Sequence, residues 1–119
     1  MDFIKRIIQL IVMKSSVFID FMGDSPTVRI IDFLVGNLPI DASKEEIIRA
    51  TGISRTSFFA VWERFERYGV VKRTRIVGRS AMFALDPKSP IAQRFMQLSL
   101  DFIDRSVPVA VRARSRTKR

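Results

Sequence analysis

Two residue types with common chemical roles are missing from this chain of 119 residues, which has no cysteine and no histidine. Without cysteine, the chain forms no disulfide and offers no thiolate to a metal. Without histidine, it lacks the usual general base, proton shuttle and zinc ligand. The acidic residues are scattered, and neighbours such as Glu45 and Glu46 are typical of a helix surface. We therefore predict no enzyme activity, no cofactor and no bound metal.

Long uninterrupted apolar runs are missing as well. Residues 1–23 are mostly apolar, but charged residues from Lys5 to Asp20 interrupt them before the ~18 residues that a membrane span requires. The segment also lacks the cleavage pattern of a secretory signal. It predicts an amphipathic helix whose apolar side must be covered by its own domain, a second subunit or a membrane surface. The membrane is the least favoured, because Asp2 and Asp20 oppose the segment's few cations.

Basic charge is distributed unevenly. The net charge is +9, yet residues 1–69 hold nine basic and nine acidic residues, which cancel. Residues 70–119 hold twelve basic and three acidic residues, so the whole excess lies there. A polyanionic partner is the simplest reason for this asymmetry, and a solvated surface that keeps the protein soluble is the alternative. Residues 106–119 are basic without a core pattern, which predicts a tail that is disordered in isolation.

The stretch 52–69 predicts a central helix. Ser54 is a good N-cap, and Gly69 stands where helices often end in a left-handed residue. Between them, apolar residues recur at helical spacing and predict one buried stripe, for which core packing alone is a sufficient explanation. The stripe consists of Phe58, Val61, Trp62, Phe65 and Tyr68. Phe59 is the exception, a large aromatic side chain that the stripe does not shelter.

The residues on either side of this helix add context. Ser43 and Glu46 have the spacing of a capping box, which predicts a short helix over 43–50. Thr51 and Gly52 then form a very short turn, and two helices joined across a turn with glycine make a helix-turn-helix. Downstream, residues 70–85 predict a two-stranded ribbon rich in arginine, with Gly78 in its turn.

Alternation in the second half of this ribbon predicts its orientation. Ala81, Phe83 and Leu85 lie two residues apart, so they share one face of a strand. We expect that face to pack against the Trp62 side of the central helix. The residues between them, Ser80, Met82 and Ala84, belong to the opposite face.

These patterns resemble a known family. The helix-turn-helix spacing of transcriptional regulators is matched by Ile47, Ile48, Gly52, Ile53, Phe58 and Val61. With the ribbon as a wing and a helix at 26–36, residues 17–104 resemble the winged helix-turn-helix domains of small archaeal transcriptional regulators, including those carried by viruses and plasmids. The family usually has a small residue, often Ala, at the position of Ile48, so this chain implies a slightly wider crossing of the two helices.

The resemblance implies a mostly α fold with a small β-ribbon, a winged helix-turn-helix with extra N- and C-terminal helices. The expected units are an amphipathic helix at 1–23, the winged domain at 24–88, a C-terminal helix at 89–105 and the basic tail at 106–119.

Further signals place the remaining elements. Ser25 and Pro26 open the helix at 26–36 as N-cap and first residue, and its core face carries Ile30, Ile31, Leu34 and Leu38. In winged helices, an extended segment such as 39–41 often adds a third short strand to the ribbon. Ser89 and Pro90 repeat the opening signal and predict a last helix that reaches about Asp104.

The function that the resemblance implies is sequence-specific binding of double-stranded DNA by a cytoplasmic, nucleoid-associated regulator of transcription. The central helix would enter the major groove, with Arg55 near guanine or phosphate and Phe59 near a thymine methyl group. The N-terminus of the helix at 43–50 is a natural phosphate site, and the wing cations would follow the DNA backbone. The predicted DNA-binding residues are Ser43, Lys44, Ser54, Arg55, Thr56, Ser57, Phe59, Ala60, Lys72, Arg73, Arg75 and Arg79.

Two other classes of function remain open. One is a DNA-associated protein without sequence preference, such as an architectural or a replication or partition accessory protein, for which only the arginines matter. The other is a winged helix used for protein contacts, which an exposed Phe59 would suit.

A homodimer is the preferred assembly, because small helix-turn-helix proteins commonly read symmetric sites as dimers. In the last helix, apolar residues at spacings of 4, 3 and 4 form a coiled-coil-like seam. The alternative is that this seam packs on its own domain. The residues predicted to mediate dimerisation are Ile4, Ile8, Ile11, Ile91, Phe95, Leu98 and Phe102.

Overall fold

The computed structural model describes residues 17–106. In chain order they form α1 (helical residues 17–22), α2 (Pro26–Gly36), β1 (Ala42–Ser43), α3 (Lys44–Thr51), α4 (Arg55–Arg67), β2 (Val71–Val77), β3 (Ser80–Leu85) and α5 (Pro90–Ser106). The strands make one antiparallel sheet in the order β1-β3-β2. The predicted fold class, a mostly helical winged helix-turn-helix with a small ribbon, is confirmed. The predictions for Ile4, Ile8, Ile11 and the basic tail beyond Ser106 lie outside the described residues.

Serine begins four of the helices. The hydroxyls of Ser25, Ser43, Ser54 and Ser89 each accept a hydrogen bond from the backbone N–H three residues later, at 3.1–3.2 Å. At Ser43 the capping box is complete, because its own N–H donates to Glu46 Oε1 at 2.9 Å. Each cap satisfies a backbone donor that the first helical turn leaves unpaired, worth typically ~1 kcal/mol.

Aromatic side chains form the centre of the core. Phe58 and Phe65 each stack on Trp62, with ring centroids 5.1 and 5.7 Å away. Phe83 of β3 meets Trp62 edge-on at 5.3 Å, which attaches the sheet to α4. This confirms that the central helix buries its predicted stripe around Trp62 against one face of the ribbon.

The predicted stripe ends one turn earlier than expected. Tyr68 is 61% exposed, although we predicted it in the core. It follows the last helical residue as the C-cap, and Gly69 then takes a left-handed φ of 65°. The chain therefore leaves the helical path, and the Tyr68 ring lies beside the Arg67 guanidinium, 5.9 Å from its centroid. Leu38 is likewise exposed rather than part of the α2 core face, because α2 ends at Gly36.

The sheet differs from the prediction in two respects. The third strand consists of Ala42–Ser43 rather than residues 39–41. Met82 and Ala84 are buried, although alternation places them on the face opposite Phe83. β3 is the central strand, with β1 on one side and β2 on the other. Side chains of β2 therefore share its outer face, with Arg75 opposite Met82 and Lys72 opposite Ala84.

The last helix packs mostly on its own domain. Ala92 and Ser99 are buried on α5, whereas Phe95, Leu98 and Phe102 are half-buried against the core. Small side chains allow a helix axis to come close to its neighbour, which the apolar spacing could not predict. Of the predicted seam, Ile91 alone is exposed at 42%.

The two terminal helices meet. Phe102 of α5 contacts Phe18 of α1 at 6.0 Å and Phe21 at 5.1 Å between ring centroids. Phe18 is buried, but Phe21 remains 72% exposed. None of the helices within residues 17–106 is long and apolar enough to cross a membrane.

Candidate nucleic-acid interface

The first turn of α4 is the polar end of the helix-turn-helix. Gly52, with a left-handed φ of 71°, ends α3 and donates its N–H to the Ile48 carbonyl. Two residues later, Ser54 caps α4 and directs Arg55 and Thr56 toward solvent, both exposed. The Ser54 hydroxyl accepts from the Ser57 N–H, which leaves its own proton available to a phosphate oxygen.

Arg55 has an acidic neighbour across the turn. Its guanidinium donates to the Glu45 carboxylate on α3. The two side chains are 61% and 57% exposed, so water screens the pair, which is worth little to stability. Exchange of Glu45 for another anion would therefore cost Arg55 little.

Phe59 lies between two cations. It is 43% exposed, as predicted. The Arg55 guanidinium carbon lies 5.6 Å from its ring centroid, and Lys44 Nζ lies 5.8 Å from it. Lys44 Nζ also lies 5.4 Å from the Phe83 ring. Cation–π attraction thus orders two basic side chains around one exposed aromatic ring, next to exposed Thr56.

Arg29 of α2 contacts the turn between α3 and α4 from the side of α2. Arg29 of α2 donates from Nη1 to the Thr51 carbonyl at the end of α3, at 2.9 Å. Its Nε and Nη2 donate to the two oxygens of Asp24, at 2.6 and 2.9 Å. The hydrogen bonds from Arg29 hold the pKa of Asp24 below its ordinary value. This contact ties the junction of α1 and α2 to the turn between α3 and α4.

The wing carries its cations on exposed strand positions. Lys72, Arg73 and Arg79 are exposed, and Arg79 stands in the β2–β3 turn beside Gly78, which has a left-handed φ of 63°. Arg73 lines a surface groove of about 220 Å³ between the wing and the start of α3. Ser43, Lys44 and Ser80 line the same groove together with two carboxylates, so its charge is mixed.

Arg75 is arranged differently. Its guanidinium donates two hydrogen bonds to Asp41, from Nε at 3.0 Å and from Nη2 at 3.1 Å. The Thr74 hydroxyl donates to the same carboxylate. These donors, the Arg75 guanidinium first, lower the pKa of Asp41 to about 2.

The predicted residues thus fall into two groups. Lys44, Arg55 and Phe59 come together around the turn, whereas Lys72, Arg73 and Arg79 lie on the wing. Ser43 is buried in its capping box, so among the residues at the start of α3 it is Lys44 that presents charge. Thr56 and Ala60 are exposed on α4, and Ser57 is half-buried.

Several contributing residues escaped the sequence prediction. Arg29 donates to the Thr51 carbonyl, and Asp41 and Glu45 accept from Arg75 and Arg55. Arg55 and Phe59 are four residues apart on a helix, so their contact has a sequence signal. The Asp41–Arg75 pair spans 34 residues and has none. Within residues 17–106, no cluster of acidic side chains is suitable for holding a metal ion.

Two solved structures resemble this fold. The transcriptional repressor CouR, bound to a 23-mer DNA duplex, matches with a TM-score of 0.51 at 19% identity, over 84% of this chain and 69% of its own. A probable transcriptional regulator from Pseudomonas aeruginosa matches with a TM-score of 0.49 at 16% identity, over 96% and 92% of the two chains. No protein-family model and no curated protein sequence matches the chain.

Proposed function

We propose that this protein binds double-stranded DNA through its winged helix-turn-helix and regulates transcription. The observation that carries the proposal is the exposed start of α4, where Arg55, Thr56 and Phe59 project from the helix-turn-helix. A helix with an exposed polar start is the element that enters a major groove in this motif. The structural likeness to a repressor that is bound to a DNA duplex supports the same partner.

Base reading is assigned to the start of α4. Arg55 would exchange Glu45 for guanine or a phosphate, and Thr56 would reach a base edge or a phosphate. Phe59 would contact a thymine methyl group, with Lys44 and Arg55 beside its ring. The remaining α4 positions of the proposed surface are Ser54, Ser57 and Ala60.

Affinity is assigned to the wing. Lys72, Arg73 and Arg79 are exposed and carry no acidic partner within the described residues. They would contact phosphates beside the major-groove site, which fixes position without reading sequence. This division separates a sequence-specific regulator from a DNA-associated protein without sequence preference.

We further propose that two copies of the chain act together. Phe21 of α1 is 72% exposed, and Ile91 and Leu100 of α5 are exposed at 42% and 57%. Ile91 and Leu100 lie on opposite sides of α5, so a second copy would cover one of them together with Phe21, with α1 and α5 as the dimerisation elements. Half-sites in the DNA should then lie about one turn apart, roughly 34–36 Å centre to centre.

The function is tested by capturing genomic DNA fragments on the protein and then titrating the enriched duplex against a scrambled one. We expect the enriched duplex to bind at least roughly a thousandfold more tightly, as specific regulators do. Equal binding of both duplexes would favour the DNA-associated protein without sequence preference. Absence of binding to any duplex would favour a protein-contact module. Light scattering that stays at the monomer mass across micromolar concentrations would refute the dimer.

A further inference from the structure

The Asp41–Arg75 contact has a geometry that a casual surface ion pair lacks. Asp41 directly precedes β1, and Arg75 lies on β2. Because β3 is the middle strand, this contact passes over β3 from the β1 side to the β2 side. In register, Arg75 stands opposite Met82 and Lys72 stands opposite Ala84, so these residues share that face. The crossing contact explains why Met82 and Ala84 are buried on the side away from the core.

A β-bulge brings the third member into place. The pairing passes from Arg73 opposite Phe83 directly to Arg75 opposite Met82, so Thr74 is an extra residue in β2. Its hydroxyl lies within reach of both the Asp41 carboxylate and the Met82 carbonyl. Bulges bend a strand and increase its twist. Here the bulged residue is Thr74, and it is hydrogen-bonded to Asp41. We call Asp41, Thr74 and Arg75 the Asp41 bridge.

The exposure of the two charged partners is unequal. The Asp41 side chain is 11% exposed, whereas that of Arg75 is 63% exposed. Asp41 is enclosed by its two donors, and its pKa of about 2 means that the carboxylate stays ionised at any physiological pH. Pulling Arg75 away would leave this enclosed carboxylate with the Thr74 hydroxyl and its own backbone N–H as donors, without a positive charge beside it, which is costly for a poorly solvated charge.

We propose that Asp41 is a positioning residue that sets the angle of the wing against the start of α3, and that Arg75 serves this bridge instead of binding a phosphate. Asp41 stands two residues before the Ser43 cap, so the bridge connects the wing to the end of α3 that carries Lys44. It thereby fixes the spacing between Lys44 and the wing cations Arg73 and Arg79. This inference rests on the proposed binding of DNA and revises the sequence prediction for Arg75.

The test compares Asp41→Asn, Arg75→Ala and the charge exchange of Asp41→Arg with Arg75→Asp, each titrated with the enriched duplex at several salt concentrations. Arg79→Ala is the reference for a lost phosphate contact, and it should lower the log–log salt slope by about 0.9. We expect Asp41→Asn and Arg75→Ala each to weaken binding about two- to fivefold, with an unchanged slope because neither variant removes a phosphate contact. The charge exchange should recover most of the loss.

Two results with DNA would overturn the proposal. In the first, Asp41→Asn tightens DNA binding, and Arg75→Ala lowers the salt slope as much as Arg79→Ala does. Arg75 would then be a phosphate ligand that pairs with Asp41 only in the absence of DNA. If neither variant changes binding of a duplex that the wild type binds, the bridge does not position the wing.

A measurement without DNA separates this inference from the proposed function. Amide hydrogen exchange in the free protein should become faster in β2 and β3 for Asp41→Asn. Glu63→Gln is the matched control, because Glu63 also pairs with an arginine, Arg67, but its carboxylate is exposed and lies outside the wing. Equal exchange in the wing of both variants would overturn the bridge. A wild type that binds no duplex would refute the proposed function and leave the exchange result to decide the bridge.

Discussion

Arg55 at the start of α4 and Arg75 in the wing both lie beside a carboxylate, but the two pairs differ in exposure. Glu45, the partner of Arg55, is 57% exposed, whereas Asp41, the partner of Arg75, is 11% exposed. Solvent screens the first pair and can replace either partner. In the second pair the enclosed carboxylate needs its donors. Counting basic residues therefore overestimates the charge that the wing leaves free for a partner.

The same contrast applies to the two regions as wholes. The α3–α4 turn presents Arg55 and Lys44 beside the exposed Phe59 ring, and the carboxylate that pairs with Arg55 is exposed to solvent. In the wing, Arg75 donates two hydrogen bonds to the enclosed Asp41, and Arg79 lies at the tip without such a partner among residues 17–106. We infer that one region is arranged to exchange partners on binding, and the other to keep its shape.

The largest expected effect removes the packing that both regions share. Trp62→Ala should lower the free energy of unfolding by about 3–5 kcal/mol, because Trp62 is buried between Phe58 and Phe65 of α4 and Phe83 of β3. Chemical denaturation measures it. Tyr68→Ala is the matched control and should change little, since Tyr68 is exposed. A folded Trp62→Ala protein that fails to bind DNA would place Trp62 at the interface instead.

The next effect tests base reading. Arg55→Ala or Thr56→Ala should reduce discrimination between enriched and scrambled duplexes by about 1–3 kcal/mol, the value of a good base contact. Fluorescence anisotropy titrations of both duplexes measure the difference. Arg94→Ala, an exposed cation on α5, is the control. A uniform loss of affinity for both duplexes would assign Arg55 and Thr56 to phosphates.

A smaller effect tests the wing tip. Arg79→Ala should weaken binding to every duplex by the same factor and lower the slope of log K against log salt by about 0.9. The measurement is a salt titration with enriched and scrambled duplexes. If Arg79→Ala changes discrimination instead, the wing tip reads sequence and the division between the two regions is wrong.

Removing the exchangeable carboxylate should have an effect of the opposite sign. Glu45→Gln should tighten DNA binding by up to about fivefold, because Arg55 loses a competing partner and one repelling charge disappears. Equilibrium titration at low salt measures the gain. Weaker binding after this substitution would mean that Glu45 orients Arg55 and that the two pairs act alike.

The smallest effect concerns pH. Because the pKa of Asp41 falls from 3.8 to about 2 on folding, its contribution to stability is complete above about pH 5 and is lost as pH falls toward 2. The difference in unfolding free energy between wild type and Asp41→Asn should therefore be constant from pH 5 to 8. It should shrink between pH 4 and 2. A difference that changes near pH 7 would show that another group titrates with the bridge.

Short-range patterns in the sequence determined much of this protein. The serine caps, the left-handed glycines at Gly52 and Gly69, and the Trp62 stripe all follow from residues within one or two helical turns of each other. Helix starts and apolar periodicity depend on local backbone geometry, so the winged helix-turn-helix order could be predicted. The exposure of Phe59 followed from the same periodicity, because it lies off the buried stripe.

Tertiary structure alone decided which charges are available. The Asp41 bridge depends on strand order, on register and on a bulge at Thr74, none of which has a local sequence signal. The close approach of α5 through Ala92 and Ser99 similarly depends on the shape of the surface below it. A side chain's partner across 34 residues is set by how the strands pair. For that reason, the sequence showed where the arginines are, and only the fold showed which of them pair with a carboxylate of the same chain.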